Sequence, residues 1–356
     1  MARSRKAAPL FALIMGVALA GCGSSTTASG PSTTTATHLA FTSKGTPNLT
    51  GWTIPIATAG SKPGDEDTLG YIMEKTLESW GANSSLNLAE APAGADAVVA
   101  GKIDAVNSDM PSLLNLPLEI FMPNQVRLDY EFVSTDIPTL KDLKGKTIDV
   151  GTVTSAEYQF MPALLKYAHL KKSQVNYEIT GSASGSSFGT QLIIHKADAA
   201  WVHVSNVATV RAEVPHLYVL AKATSVLPSI ADSFWAATPS WLKSHPAIAE
   251  ALCLAWIAAA KTFNDHPSTW VSDAEAYTLN ADPASSVQAD HATYVGLHLW
   301  PLSESSYTKQ QVDANYDFYK SFGEFSGSGI RKLSKVAVYG DWQAAWQVYD
   351  AHPGAY

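Results

Sequence analysis

The residues in this chain that could act on another molecule are polar and aromatic side chains near strand ends, and their pattern suits holding a small molecule better than breaking a bond. No Gly-x-Ser-x-Gly elbow, His-Glu-x-x-His pair or P-loop is read. Ser184-Gly185-Ser186 falls in a low-complexity stretch and lacks the strand-turn-helix setting of a nucleophile. Cys253 sits inside an apolar helix, where a thiol is inert. His203 could titrate near neutral pH, yet a lone histidine also serves as a structural group. No metal site and no cofactor are expected.

In open α/β sheets ligands lie beyond the carboxyl ends of the strands, which directs attention to four turns. The first, Gly60 to Asp67, offers Ser61 and the acidic trio Asp65, Glu66 and Asp67, which could pair with a cationic ligand group or start a helix through its dipole. The second offers Asn107, Ser108 and Asp109. In the third, the hydroxyls and free N–H groups around Thr152, Thr154 and Ser155 could hold a carboxylate, sulfonate or phosphate, or could simply cap a helix. Strand alternation puts Trp201, His203 and Ser205 of the fourth on one face, as a ligand wall or as an edge strand packed under a helix. Phe234 and Trp235 fall near a later strand and suit an aromatic ligand wall or ordinary core; Trp52 has the same two readings. An acidic first half and an anion-binding turn in the second would together suit an amphoteric ligand.

The elements that must position these residues alternate short β-rich runs with helical spacing, the pattern of parallel strands joined by crossovers. Strands are predicted at Thr53 to Ala57, Leu86 to Ala89, Ile103 to Asn107, Leu128 to Ser134, Thr147 to Val150, Val175 to Ile179, Ala199 to Val204, Leu217 to Ala221 and Phe234 to Thr238. Thr68 to Trp80 has Leu69, Ile72, Met73, Thr76, Leu77 and Trp80 on one helix face, with Gly81 as the stop. After Thr238 the chain reads as mainly helical. Roughly 310 ordered residues fit two domains of about 150 each. The apolar run Ala251 to Ala260 is too short to span a bilayer and reads as a buried helix.

Ahead of this body, Arg3, Arg5 and Lys6 precede an apolar run from Leu10 to Ala20, the layout of an export signal. Leu19-Ala20-Gly21-Cys22 resembles the lipobox of bacterial lipoproteins, which implies a lipidated Cys22 at the start of the mature chain; an ordinary signal peptide with a chance cysteine is the alternative. Residues 22–50 are rich in Ser, Thr, Gly and Ala and read as a flexible tether. Without Arg3, Arg5 and Lys6 the chain keeps 21 basic against 32 acidic residues, a balance that argues against nucleic acid. With Cys22 acylated, Cys253 has no partner in the chain, so the fold must manage without a disulfide.

Three segments resemble the nitrate, sulfonate and thiamine-precursor group of periplasmic-binding-protein-like proteins. They are Ala100-Gly101-Lys102-Ile103-Asp104-Ala105; Leu140-Lys141-Asp142-Leu143-Lys144-Gly145-Lys146-Thr147-Ile148-Asp149-Val150-Gly151; and His195-Lys196-Ala197-Asp198-Ala199-Ala200-Trp201, with His195 standing where Gly is usual. Thr238 to Pro246 and the apolar helix behind it look like the family's returning segment, so the resemblance covers roughly residues 52–275. The Asp142 to Lys146 stretch itself reads as structural, with Asp142 capping a turn, Gly145 giving backbone freedom and the lysines solvated.

The resemblance implies a two-lobed α/β fold of the type II periplasmic-binding-protein kind, each lobe a mainly parallel sheet flanked by helices with a ligand cleft between them. The expected boundaries are 1–21 for the signal, 22–50 for the tether, 51–132 with 234–356 for lobe 1, and 133–233 for lobe 2. Crossings are expected near Tyr130 to Asp136 and Ser229 to Thr238. The implied function is the extracytoplasmic solute-binding part of an ABC-type importer, acting as a lipid-anchored monomer that closes on a small molecule and passes it to a membrane permease. A ligand-sensing surface lipoprotein is an alternative. So is an enzyme of the thiamine-pyrimidine type, although the cysteine-rich segment used by such relatives is absent.

Overall fold

Two five-stranded sheets, each layered with helices, make up the computed structural model. The structure describes residues 39–356 except 44, 60–63, 65–66, 90, 154, 181–188, 282, 326–330, 332–334 and 353. Lobe 1 opens with β1 (Thr53–Ala59), α1 (Thr68–Ser79), β2 (Asn83–Ala89), α2 (Ala91–Val99), β3 (Ala105–Ser108), α3 (Met110–Leu114) and β4 (Glu119–Pro123). Lobe 2 comprises β5 (Tyr130–Thr135), β6 (Thr147–Asp149), α4 (Ala156–Tyr167), β7 (Asn176–Glu178), α5 (Thr190–Ile193), β8 (Ala199–His203), α6 (Val204–Glu213), β9 (Leu217–Lys222) and α7 (Ala223–Val226). The chain returns to lobe 1 as β10 (Phe234–Ala237), α8 (Pro239–Ser244), α9 (Pro246–Asp265), α10 (Pro267–Tyr277), α11 (Ala284–Leu297), α12 (Lys309–Ser321) and α13 (Gly340–Ala351).

The strand orders, β2-β1-β3-β10-β4 and β7-β6-β8-β5-β9, are the same pattern twice. In each sheet four strands run in one direction and one runs against them: β10 in the first, β5 in the second. Those two antiparallel strands are the ones fed by the crossings, so both connections between lobes start at the ligand-facing ends of the sheets. The crossings are 124–129 and 228–233, and they are bonded to each other. Asp232 N–H donates to Gln125 O (3.1 Å), and Arg127 Nη1 donates to Pro228 O (2.6 Å). The first falls ahead of the expected Tyr130 to Asp136, because Tyr130 already pairs with His203 in the second sheet; the second coincides with the start of the expected Ser229 to Thr238 and ends where Phe234 pairs with Ser108 in the first. The boundary of lobe 2 accordingly lies before Tyr130.

The apolar faces predicted from spacing are the buried ones. Leu69, Ile72, Met73, Leu77 and Trp80 enter the lobe 1 core, while Thr76 spends its hydroxyl on Ile72 O (2.8 Å). Gly81, at φ +95°, ends α1 where a Cβ would come within 2.9 Å of Thr50 Oγ1. Helix α9 is long and apolar enough to cross a membrane by composition, yet it is the central core helix of lobe 1. The Asp142 stretch behaves as expected of a structural turn: Thr139 Oγ1 donates to Asp142 Oδ2 (2.6 Å), and Gly145 takes φ +78°. Lys146 departs slightly, lying 3.7 Å from Asp198. His195 adopts φ +57°, the left-handed turn that Gly101 (φ +67°) makes at the matching step of lobe 1, which is why glycine is common there.

Candidate functional site

A cavity of about 750 Å³ opens where the strands of both sheets end. Ala59 closes β1, Asn107 and Ser108 close β3, and Asn124 follows β4, all on the lobe 1 side. From lobe 2 come His203 at the end of β8, Tyr130 at the start of the antiparallel β5, and Thr152, Ser155 and Glu157 where β6 turns into α4. Tyr319 of α12 and Glu324 just after it complete the wall.

The lobe 1 wall is held by a buried polar network. Asn107 Oδ1 accepts from Thr58 Oγ1 (3.0 Å) and Ala59 N–H (3.1 Å), tying β3 to the end of β1. Its Nδ2 donates to Asn124 Oδ1 (3.3 Å), which also accepts from Trp235 Nε1 (3.1 Å). Asn124 Nδ2 then donates to Ser233 Oγ (2.9 Å), so one amide links β3, β10 and the second crossing. Helix α12 backs this junction, with Asn315 Oδ1 accepting from Ala231 N–H (3.1 Å) and Phe318 packing near Phe160 of α4. Three side chains of this network, Asn107, Asn124 and Ser233, line the cavity, so their geometry is fixed before any ligand arrives.

On the lobe 2 side Ser155 caps α4, accepting from Tyr158 N–H at 3.5 Å while its own hydrogen is directed at Val150 O (2.9 Å). Asp149, just inside, accepts from Gly151 N–H (3.0 Å) and Thr180 Oγ1 (3.1 Å). His203 Nδ1 lies 3.1 Å from Asp129 Oδ2, and its ring lies over Tyr130 with centroids 4.0 Å apart. Asp129 is 1% exposed, so this pair is a desolvated one whenever the imidazole carries its proton.

The electrostatics of the cavity are one-sided. Asp67, Asp109, Asp129, Glu157, Asp232 and Glu324 line it, with Asp96 at the rim; among the described residues no Lys or Arg does. The Asp232 carboxyl is pushed up to about 7, first by burial and then by neighbouring Asp129 and Asp109, against the pull of His203 and Ser233. Glu157 is also raised, first by burial, against the pull of Ser155, its own backbone N–H and His203. Burial raises Glu324 too, with Gln159 of α4 opposing from across the cleft. Tyr319 is held well above the usual phenol range by burial and by Asp109 and Asp232. Among the described residues no group of three His, Cys, Asp or Glu is placed to hold a metal ion.

The structure gathers Ser108, Asp109, Thr152, Ser155 and His203 around this one cavity. Asp109 is largely engaged in capping α3, accepting from Ser112 N–H (2.9 Å) and Ser112 Oγ (2.8 Å), and Ser108 Oγ donates to it (3.3 Å). Trp201 and Trp235 do not line the cavity. Trp201, 1% exposed, shares a strand face with His203 but stands two residues back from the strand end, under Phe160 and against Phe132. Trp235, 0% exposed, packs on Trp256 and reaches the site only through its bond to Asn124. Ser205 belongs to α6 and not to the strand. Ser61, Thr154 and Cys22, with Asp65 and Glu66, lie outside the described residues.

Asn124, Asp129, Tyr130, Glu157, Asp232, Tyr319 and Glu324 were not anticipated as site residues. Glu157 had the plainest signal, an acidic residue two places after an N-cap serine beside a proposed ligand turn. One string was also overlooked: Gly185-Ser186-Ser187-Phe188-Gly189 does have Gly-x-Ser-x-Gly spacing. Its first four residues lie outside the described ones, and the preceding strand β7 already ends at Glu178, so no strand leads straight into it as an elbow requires.

Residues 131–269 match the NMT1/THI5 like family. That segment runs from β5 through lobe 2 and back into α10, so it includes the His203 and Glu157 wall. Among solved structures, the chain is similar to the ligand-binding component of an ABC-type import system from Staphylococcus aureus, at 13% identity and TM-score 0.63 over 83% of this chain and 99% of that one. It is similar to the periplasmic aliphatic sulphonate binding protein SsuA from Escherichia coli, at 12% identity and TM-score 0.62 over 80% and 91%. It is also similar to the periplasmic nitrate-binding protein NrtA from Synechocystis PCC 6803, at 11% identity and TM-score 0.61 over 85% and 91%. Searched against curated proteins, the sequence finds no match. These likenesses show the two-lobed periplasmic-binding-protein fold of the expected class.

Proposed function

We propose that this protein is the solute-capturing component of an ABC-type importer, closing its lobes over one small molecule. The observation that carries the reading is the polar cavity at the strand ends of both sheets, bounded by two crossings that can flex as a pair. A ligand touching both walls binds the closed form better than the open one and shifts the population by that difference. The closed lobes would then dock on a membrane permease. Lipidation at Cys22 would hold the protein on the extracytoplasmic face of the cell membrane, and the Ser/Thr-rich segment behind it would let the lobes reach the permease.

The resemblance of NMT1/THI5 like proteins to a pyrimidine-forming enzyme leaves chemistry to be tested directly. Small-angle scattering of ligand-loaded and ligand-stripped protein should show a smaller radius of gyration when loaded, and mass spectrometry should recover the ligand unchanged. Identical radii would contradict lobe closure; a mass change in the ligand would make the protein an enzyme. Cys22→Ser should release a protein that still binds but no longer supports uptake.

A further inference from the structure

The neighbours described above include binders of sulphonate and nitrate, both anions, but the cavity here is itself lined by acids. Seven of its lining residues are carboxylates, and among the described residues the one lining group of opposite sign is the His203 imidazole. An anion in this space would meet several carboxylates with no guanidinium or ammonium among the described lining residues to pair with it, at separations where Coulomb repulsion is poorly screened. Several of the carboxylates already have work within the protein. Asp109 caps α3, Asp129 pairs with His203, and Asp67 accepts from Thr58 Oγ1 (3.3 Å).

Glu157 is different. It is 2% exposed and lines the cavity, and no hydrogen bond from a described residue reaches either of its carboxylate oxygens. The Ser155 hydroxyl and the residue's own N–H lie near enough to favour its charge, but the Ser155 hydrogen is directed at the backbone carbonyls of Val150 and Thr152 and neither group closes a hydrogen bond to the carboxylate. A buried carboxylate left without donors costs free energy that an incoming N–H donor bearing positive charge would recover. Tyr130 and Tyr319 stand in the same wall and present aromatic surface for the body of such a molecule.

We propose that the cavity takes a small organic cation with N–H donors, an amine or amidinium, whose charged head is held by Glu157 and Asp232 and whose body lies against Tyr130 and Tyr319. This rests on the solute-binding reading above and narrows its ligand class. The carboxylates explain why the site is unfavourable when empty: they raise one another, and a cation relieves all of them at once. The N-terminus of α4, read from sequence as a possible anion site, carries Glu157 in its first turn, a charge that disfavours an anion there.

The test is thermal shift and calorimetry at pH 8 and low salt. The panel contains alkylamines, benzamidine and guanidines, matched carboxylates and sulfonates, a neutral benzamide, and zinc chloride. At least one amine or amidine should bind, and no carboxylate or sulfonate should. Glu157→Gln should weaken the cation by roughly 30-fold or more, the scale of deleting one partner of a buried charge pair. Glu178→Gln, an exposed acid on β7, should leave binding unchanged. The parent protein should also lose affinity for the cation between pH 8 and pH 5.5 as Asp232, held at about 7, takes up its proton. Binding of a sulfonate, a carboxylate, benzamide or zinc without any amine or amidine would overturn the charge assignment while leaving solute capture intact. So would an amine whose affinity Glu157→Gln leaves unchanged. If no compound of any charge binds and scattering shows no closure, the solute-binding reading itself falls.

Discussion

Replacing Asn124 with alanine tests whether the site wall is built by the buried amide network. Asn124 makes three side-chain bonds, accepting from Asn107 Nδ2 and Trp235 Nε1 and donating to Ser233 Oγ. Each net bond contributes about 1 kcal/mol, and a buried donor left unpaired costs about 1–3 kcal/mol. Water can enter from the cavity and replace part of this for Asn107 and Ser233, but Trp235 is wholly buried. The expected loss is therefore about 2–3 kcal/mol, read as a shift in urea unfolding followed by tryptophan fluorescence. Asn124→Asp makes an informative companion. It keeps both acceptor bonds and lets the Ser233 hydroxyl turn to donate, while adding a carboxylate to an acidic cavity. It should lie close to the parent at pH 5 and well below it at pH 8. A change for Asn124→Ala within about 0.5 kcal/mol of the parent, the range of ordinary surface substitutions, would refute the network as a support of the site.

Three further outcomes follow from burial and charge. Asp232 is raised to about 7 and Asp104 and Asp341 to about 6, each chiefly by burial, so the folded state binds more protons than the unfolded one between about pH 4 and 7. Stability of the ligand-free protein should fall as pH rises from 5 to 8; a melting temperature that climbs over that range would contradict it. His203→Ala removes the one cationic neighbour of Asp129 and Glu157. It should lower the melting temperature, because the buried Asp129 carboxylate loses the imidazole 3.1 Å away; an unchanged melting temperature would show that the pair does not support the fold. Trp256→Ala empties a fully buried site between Trp235 and Trp300 and should cost about 3–5 kcal/mol in the same urea assay; a loss under about 1 kcal/mol would mean the core there closes over the gap.

Much of the fold was legible because its signals are local. The strands at Thr53, Thr147 and Ala199 are short β-branched or apolar runs followed by turn residues, and α1 shows its buried face in spacing alone. Strand β4 had no such signal. Glu119-Ile120-Phe121-Met122-Pro123 is a brief apolar run beside Pro117, and it is a strand because β10 returns from far along the sequence to pair with it. The same distance explains the site. Ser108, Asp109, Thr152, Ser155 and His203 follow predicted strands and could be found by the strand-end rule. Asp129 and Asp232 lie on the two crossings, and Tyr319 and Glu324 come from a helical third that reaches the cavity only through tertiary packing. Trp201 and Trp235 misled because alternation identifies a face without saying how far along it the cleft begins. Two residues back from the end of β8 the covering helix α4 already owns that face.

The central claim is capture of a small cationic solute between the lobes, and the most direct measurement of it is native mass spectrometry of protein purified from its source without denaturation. The account predicts a one-to-one complex from which a single small molecule is released intact, carrying at least one basic nitrogen and lost from Glu157→Gln. A retained anion or neutral compound would contradict the charge of the site, and a protein that never retains or rebinds any small molecule would contradict solute capture altogether.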